Sequence, residues 1–220
     1  MFIINCKNYD EIAGDKIIKI AKISEKISKK YKVPIAIAPP HHLIPLITRF
    51  KITILAQHVD DKKVGSTTGF MVPEIVKKSK INGSIINHSE HRISEKEIIS
   101  LVKRLKKLKL KTVLCVKNVN EAKKYAKLNP TFIAIEPPEL IGTGRAISTE
   151  KPALITNAVK AVSSAKNSTK LLCGAGIVSG QDVSKAKELG SKGILVASGI
   201  VKAKNWEKII SEFCKGLKSQ

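Results

Sequence analysis

Eight times along the chain a short β-branched run gives way to a stretch with apolar residues three and four apart, and this alternation leaves few folds open. The strand-like runs are Phe2 to Asn5, Pro34 to Ala38, Ile52 to Gln57, Ser84 to Asn87, Thr112 to Val116, Phe132 to Glu136, Lys170 to Gly174 and Gly193 to Val196. Between them the helical spacing is clearest in Ile17, Ile18, Ala21 and Ile27, and in Ile98, Ile99, Leu101, Val102, Leu105 and Leu108. Ser94, with Glu97 three residues later, predicts a capping box at the start of the second of these helices. Strand–helix alternation implies a parallel sheet, because parallel neighbours must be joined by crossovers. Eight such units fit a closed (β/α)8 barrel of the α/β class, with residues 1–220 forming a single domain. At 220 residues the chain falls short of the usual barrel of about 250, so some helices must be trimmed. Those starting near Leu43 and Pro73 read as the shortest. The rival, an open doubly wound sheet, would place a glycine fingerprint after the first strand. Cys6-Lys7-Asn8-Tyr9-Asp10-Glu11 stands there instead, and neither Gly142-Thr143-Gly144 nor Gly174-Ala175-Gly176 begins such a consensus.

With 43% hydrophobic residues the chain can bury a full core, and no linker-like segment divides it. The formal net charge of +22 would suit a polyanion, but the lysines lie on nearly every amphipathic segment, as in Lys103-Arg104-Leu105-Lys106-Lys107-Leu108-Lys109. Aromatics are only 4%, so few platforms exist for stacking bases. The expectation is a solvated lysine coat, with neither nucleic acid nor membrane as partner, whose field favours a small anionic substrate. Apolar runs are strand-sized, and the first residues lack the basic and apolar regions of a secretory signal, so a cytoplasmic protein is expected. Cys6, Cys115, Cys173 and Cys214 are too widely spaced for a zinc motif and read as buried free thiols. His41-His42 reads as plain loop, and no metal site is expected.

Barrel enzymes keep their chemistry at the C-terminal ends of the strands. There the sequence places Asn5 and Lys7, Gln57, Asn87 and His88, and Glu136, with Gly174-Ala175-Gly176 and Ala197-Ser198-Gly199 after the last two strands. Any one of these is as easily a surface group, whereas their joint placement points to a site. The segment from Phe132 to Arg145 delivers one carboxylate, Glu136, into a loop hinged by Pro137 and Pro138 and loosened by Gly142 and Gly144. That is the layout of a catalytic base beneath a lid.

Asn5-Cys6-Lys7, Asn87-His88-Ser89-Glu90-His91-Arg92, Glu136 to Gly144, Cys173-Gly174-Ala175-Gly176 and Val196-Ala197-Ser198-Gly199, in this order, resemble the triosephosphate isomerase family in its short archaeal form. The resemblance covers essentially the whole chain. It implies a TIM barrel interconverting dihydroxyacetone phosphate and D-glyceraldehyde 3-phosphate through an enediolate, in glycolysis and gluconeogenesis, with no cofactor or metal. By the same resemblance Glu136 is the base, His88 a neutral imidazole electrophile, and Lys7 and Asn5 stabilise developing negative charge, roles for which this family serves as a standard example. Substrate binding would fall to Asn5, Cys6 and Lys7, and to Ile141, Gly142, Gly174, Gly176, Ala197 and Ser198, largely through backbone N–H groups. Glu90 would support the lysine region. Gly65-Ser66-Thr67-Thr68-Gly69 resembles the segment that reaches into a neighbouring subunit, implying a homodimer at least and a homotetramer in archaeal relatives. The family often carries Arg directly after His-Ser-Glu, where this chain has His91 and then Arg92. Two alternatives remain open: another phosphate-binding barrel such as a sugar-phosphate epimerase, and a basic nucleic-acid-binding barrel.

Overall fold

Successive side chains on a strand point to opposite faces, and here both faces are apolar, as required of a sheet covered on both sides. Ile3, Ala36, Leu55, Ile85, Val113, Ala134, Leu172 and Leu195 pack together in one buried cluster, while their neighbours Phe2, Ile35, Ile54, Ile86, Leu114, Ile133, Leu171 and Ile194 join a second, larger one. The first cluster fills a barrel and the second lies between barrel and helices. A computed structural model describes residues 1–140, 142–144 and 146–218. Its strands are β1 (Phe2–Asn5), β2 (Ile35–Ala38), β3 (Thr53–Ala56), β4 (Gly83–Ile86), β5 (Lys111–Val116), β6 (Phe132–Ile135), β7 (Lys170–Cys173) and β8 (Ile194–Val196). They pair in parallel in sequence order and close β8 onto β1, the (β/α)8 TIM barrel expected from the alternation. At the closure Gly193 is obligatory: a Cβ there would stand 1.9 Å from the Met1 carbonyl oxygen, which accepts from the Ile194 N–H.

Ten helices are described: α1 (Lys16–Tyr31), α2 (Ile44–Ile47), α3 (Pro73–Lys78), α4 (Glu95–Lys107), α5 (Val119–Ala126), α6 (Ile147–Glu150), α7 (Pro152–Ser163), α8 (Gly180–Glu188), α9 (Ser198–Val201) and α10 (Trp206–Lys218). The trimming falls on α2 and α3 as the sequence suggests, at four and six residues. The capping box at Ser94 and Glu97 is present, and Ser179 with Asp182 forms a second one that opens α8. Phe213 of α10 stacks on Phe2 of β1 with ring centroids 5.7 Å apart, docking the last helix on the first strand. None of the described helices is long and apolar enough to cross a membrane.

Four of the eight strands stop one residue earlier than their sequence runs imply, and the other four end where expected. Gln57, Asn87, Glu136 and Gly174 are each the first residue past β3, β4, β6 and β7. Asn87 leaves the extended region altogether, at φ +59°. Pro34 lies before β2, where its missing N–H costs no ladder bond. Except for Asn5, which ends β1 itself, the polar groups therefore stand in the first turn of each loop.

Candidate active site

Strand parity delivers the first part of the site. Asn5 and Glu136 continue the inward-facing series of Ile3 on β1 and Ala134 on β6, so both emerge at the C-terminal mouth of the barrel. Both are buried, Asn5 to 5% and Glu136 to 3% exposure. Together with Lys7, His88, Gly142, Gly144, Gly174, Gly176, Ala197 and Ser198 they line one cleft of about 510 Å³ measured to its open mouth. The residues expected to bind substrate thus converge, with two exceptions. Cys6 faces the layer between barrel and helices, where burial pushes its thiol up to about 12, and it does not line the cleft. Ile141 lies outside the described residues.

Glu136 and His88 meet: Glu136 Oε1 is 3.4 Å from His88 Nε2. The Glu90 backbone N–H donates to His88 Nδ1 at 3.2 Å, so Nδ1 carries the lone pair and Nε2 the proton that faces the cleft. Glu90 Oε2 is 3.7 Å from the same Nδ1, but that carboxylate is engaged by Lys7 Nζ at 2.7 Å. Burial works against protonation of the ring, and the hydrogen bond and charge of Glu136, with the charge of Glu90, outweigh it, so the net direction is up.

Lys7 sits in the left-handed region at φ +45°, unusual for a residue with a side chain. Two bonds hold it there, and a third anchors the side chain that makes one of them. Its N–H donates to Asn5 Oδ1 at 3.0 Å, and Gln57 Nε2 donates to the carbonyls of Lys7 at 2.9 Å and Ala38 at 3.1 Å. The side chain, 15% exposed, reaches Glu90 across the mouth. Gln57, singled out as a polar strand end but given no role, is thus a strut beneath the lysine. Its amide reaches the Lys7 carbonyl across 50 residues and the Ala38 carbonyl across 19, which no local motif announces.

Two further contacts escaped the sequence reading. The Cys115 thiol, on the inner face of β5, lies against the Glu136 carboxylate; burial, then Glu136, pushes it well above the usual thiol range. Gly174 is placed by space, since a Cβ there would meet Glu136 Cγ at 2.6 Å. The loop after Glu136 turns through a 3-10 segment, Pro138–Leu140, then through Gly142 and Gly144, both at φ +73°. Glu139 pairs with Lys151, tying that loop to the start of α7. Gly176 is also left-handed, at φ +68°. Among the described residues, no group of three or more His, Cys, Asp or Glu side chains is arranged to hold a metal ion.

The family model described as triosephosphate isomerase matches residues 1–213. The chain belongs to the triosephosphate isomerase family. A triosephosphate isomerase from Cenarchaeum symbiosum is 52% identical over 217 residues, covering 99% of this chain and 97% of the relative. Those of Methanocaldococcus jannaschii and Saccharolobus solfataricus are 42% and 44% identical over 216 and 214 residues, covering 98% and 97% of this chain and 99% and 94% of theirs. The family membership makes the chain an isomerase of the archaeal type.

Proposed function

We propose that the chain interconverts dihydroxyacetone phosphate and D-glyceraldehyde 3-phosphate, with residues 1–220 acting as one catalytic domain and Glu136 as the sole base. The observation that carries this reading is the meeting of Glu136 and His88 at 3.4 Å in a cleft that Lys7 also lines. The two carbons that exchange the proton are neighbours, so one carboxylate serves both by removing it from one and returning it to the other. His88, with its proton on Nε2, polarises the carbonyl as a neutral donor and passes protons between the two enediolate oxygens. Lys7 supplies fixed charge where the oxygen becomes negative, and Asn5 orients that oxygen while holding the Lys7 backbone.

The substrate phosphate is held by backbone N–H groups of Gly142, Gly176, Ala197 and Ser198, where small or left-handed residues let the backbone approach an anion closely. Closure of the loop from Pro137 to Gly144 excludes water and keeps the enediolate from expelling its phosphate. The active form is a homo-oligomer in the cytoplasm, a dimer at minimum. Beside Lys7 a second cavity, about 1530 Å³ by the same measure, lined by Tyr9, Gln57, His58, His88 and His91 among others, receives the partner's exposed segment from Gly65 to Gly69. The lysine coat opposes further assembly to a tetramer by like-charge repulsion.

The test is turnover of D-glyceraldehyde 3-phosphate without added metal or cofactor, followed as dihydroxyacetone phosphate through a coupled reduction. Glu136→Ala is expected to lower kcat by about 10²–10⁴-fold, the usual span for a general base, while a phosphorylated enediolate mimic still binds. Near-wild-type turnover in that variant would remove Glu136 from its role.

A further inference from the structure

Alternation along β4 sets a puzzle. Ile85 faces the barrel interior and Ile86 the helix layer, so Asn87 should point inward and His88 outward. Yet His88 Nε2 reaches Glu136, which follows the inward series of its own strand. The alternation is broken at Asn87, whose φ of +59° turns the chain by one step and swings the following side chain into the mouth. Left-handed backbone is costly for most side chains, and asparagine is among the few that tolerate it.

The same residue braces the loop it starts. Asn87 is fully buried, its Nδ2 donating to the Cys115 carbonyl of β5 at 2.9 Å and its Oδ1 accepting from the Ile93 N–H at 3.2 Å. The amide therefore links a neighbouring strand to the far end of the loop from His88 to Ile93. Within that loop the His91 N–H donates to the His88 carbonyl at 2.8 Å, and the Glu90 N–H donates to His88 Nδ1. Cys115, whose carbonyl the amide holds, also presents its thiol to Glu136, so one bond registers the loop against the strand beneath the carboxylate.

We propose that Asn87 is a positioning residue for His88: its left-handed backbone turns the imidazole toward Glu136, and its buried amide holds the loop whose Glu90 N–H fixes the imidazole tautomer. The inference rests on the isomerase reading of His88 and goes beyond it by assigning what sets the ring's orientation and proton.

Asn87→Gly keeps the backbone freedom and deletes only the brace; Asn87→Ala loses both. The expected order of kcat is wild type, then Gly lower by about tenfold or more, then Ala lower still, with KM within about twofold throughout, because misorientation acts on the chemical step. Imidazole nitrogen NMR on the wild type, at a pH above the His88 titration and with His88 assigned by comparison with His88→Gln, should show one neutral tautomer protonated on Nε2, and Asn87→Gly should show a mixture. Unchanged kcat and tautomer in Asn87→Gly would overturn the proposal. So would a wild-type His88 that is mixed or protonated on Nδ1, a measurement that decides the matter even if neither variant folds. Turnover of the wild type, measured on the same preparation, judges the isomerase reading separately.

Discussion

Gly174 shows how a residue with no functional group can govern one that has it. A methyl at this position would lie 2.6 Å from Glu136 Cγ, and the Glu136 side chain, 3% exposed, has little room to yield. Gly174→Ala is expected to displace the carboxylate and lower kcat by about 10- to 100-fold, the scale of a misplaced reacting group. Its melting temperature should fall as well, because the methyl overpacks Glu136 and also crowds the Ile135 carbonyl at 3.2 Å, a cost of about 1–3 kcal/mol. The check is a kcat measurement beside a thermal melt, and unchanged turnover would show that Glu136 has more freedom than this packing allows. The sequence signals glycine at 174 and 176, but not which of them makes room and which makes a turn. Gly176 is left-handed, and Gly174 is distinguished by its neighbour across the sheet. That Asn5, Lys7, His88 and Glu136 share one cleft was legible from their joint placement at strand ends in a familiar order, since any one of them alone reads as a surface group. Cys6 was carried along by adjacency to Asn5 and Lys7, whereas strand parity turns it to the opposite face.

Elements were legible where periodicity is local. All eight strands came through because β-branched runs of that length have one packing solution beside amphipathic helices. The α6 and α9 helices, four residues each, were not legible, since a single turn has no period. The Ser179–Asp182 cap carries a readable signal in its Ser-x-x-Asp spacing, which the contiguous glycine motif upstream overshadowed. At Ser94 the cap is complete: the hydroxyl accepts from the Glu97 N–H at 3.3 Å, and Glu97 Oε2 accepts from the Ser94 N–H at 2.9 Å. Ser94→Ala should therefore cost about 1 kcal/mol, a fall in melting temperature of about 2–4 °C for a domain of this size. Turnover should stay within twofold, roughly, unless the loop from His88 to Ile93, which ends one residue before the cap, moves with it. Thermal melts and kinetics on one variant separate the two effects.

At the scale of the molecule, all five histidines line the cavity beside Lys7: His41, His42, His58, His88 and His91. His58 stacks on His91 at 4.0 Å between centroids, its N–H donates to His41 Nε2 at 3.3 Å, and its Nε2 stands 3.4 Å from Asp60 Oδ1. Burial first, then neighbouring histidines, lower His41 and His58 against the opposing pull of Asp60, whereas His88 is raised. The signs differ accordingly. Groups lowered from 6.5 leave the unfolded chain to take up protons first, so their contribution to stability is lost as pH falls through 6.5. His88 contributes in the opposite sense, fully below 6.5 and progressively less as pH rises through its raised value. Urea melts from pH 7.5 to 5.5, roughly the histidine window, should show His58→Gln with less acid-side loss than the wild type and His88→Gln with more. Parallel behaviour of both variants would contradict these assignments.

Asp60 also closes the neck of segment 61–70. Its N–H donates to the Met71 carbonyl at 2.9 Å and its Oδ2 accepts from the Met71 N–H at 2.7 Å, while Arg104 holds Asp61 and the Lys62 carbonyl at the base. The segment so presented exposes Val64 at 57% and Phe70 at 45%, apolar surface suited to a second copy of the chain. Val64→Glu combined with Phe70→Glu should shift sedimentation toward monomer and reduce turnover together; a wild-type sedimentation profile in that variant would place the contact elsewhere.

The ring of strands joins residues 2–4 to residues 194–196. On a ribosome, the first strand emerges long before its second neighbour exists. At about 5–20 residues per second the wait is on the order of ten seconds or more, during which one edge of β1 stays open to wrong partners. The molecule thus reaches its closed shape only after nearly all of it has been made, and the cleft, lined by Asn5 and Lys7 from one end and Ala197 and Ser198 from the other, has no partial form along the way.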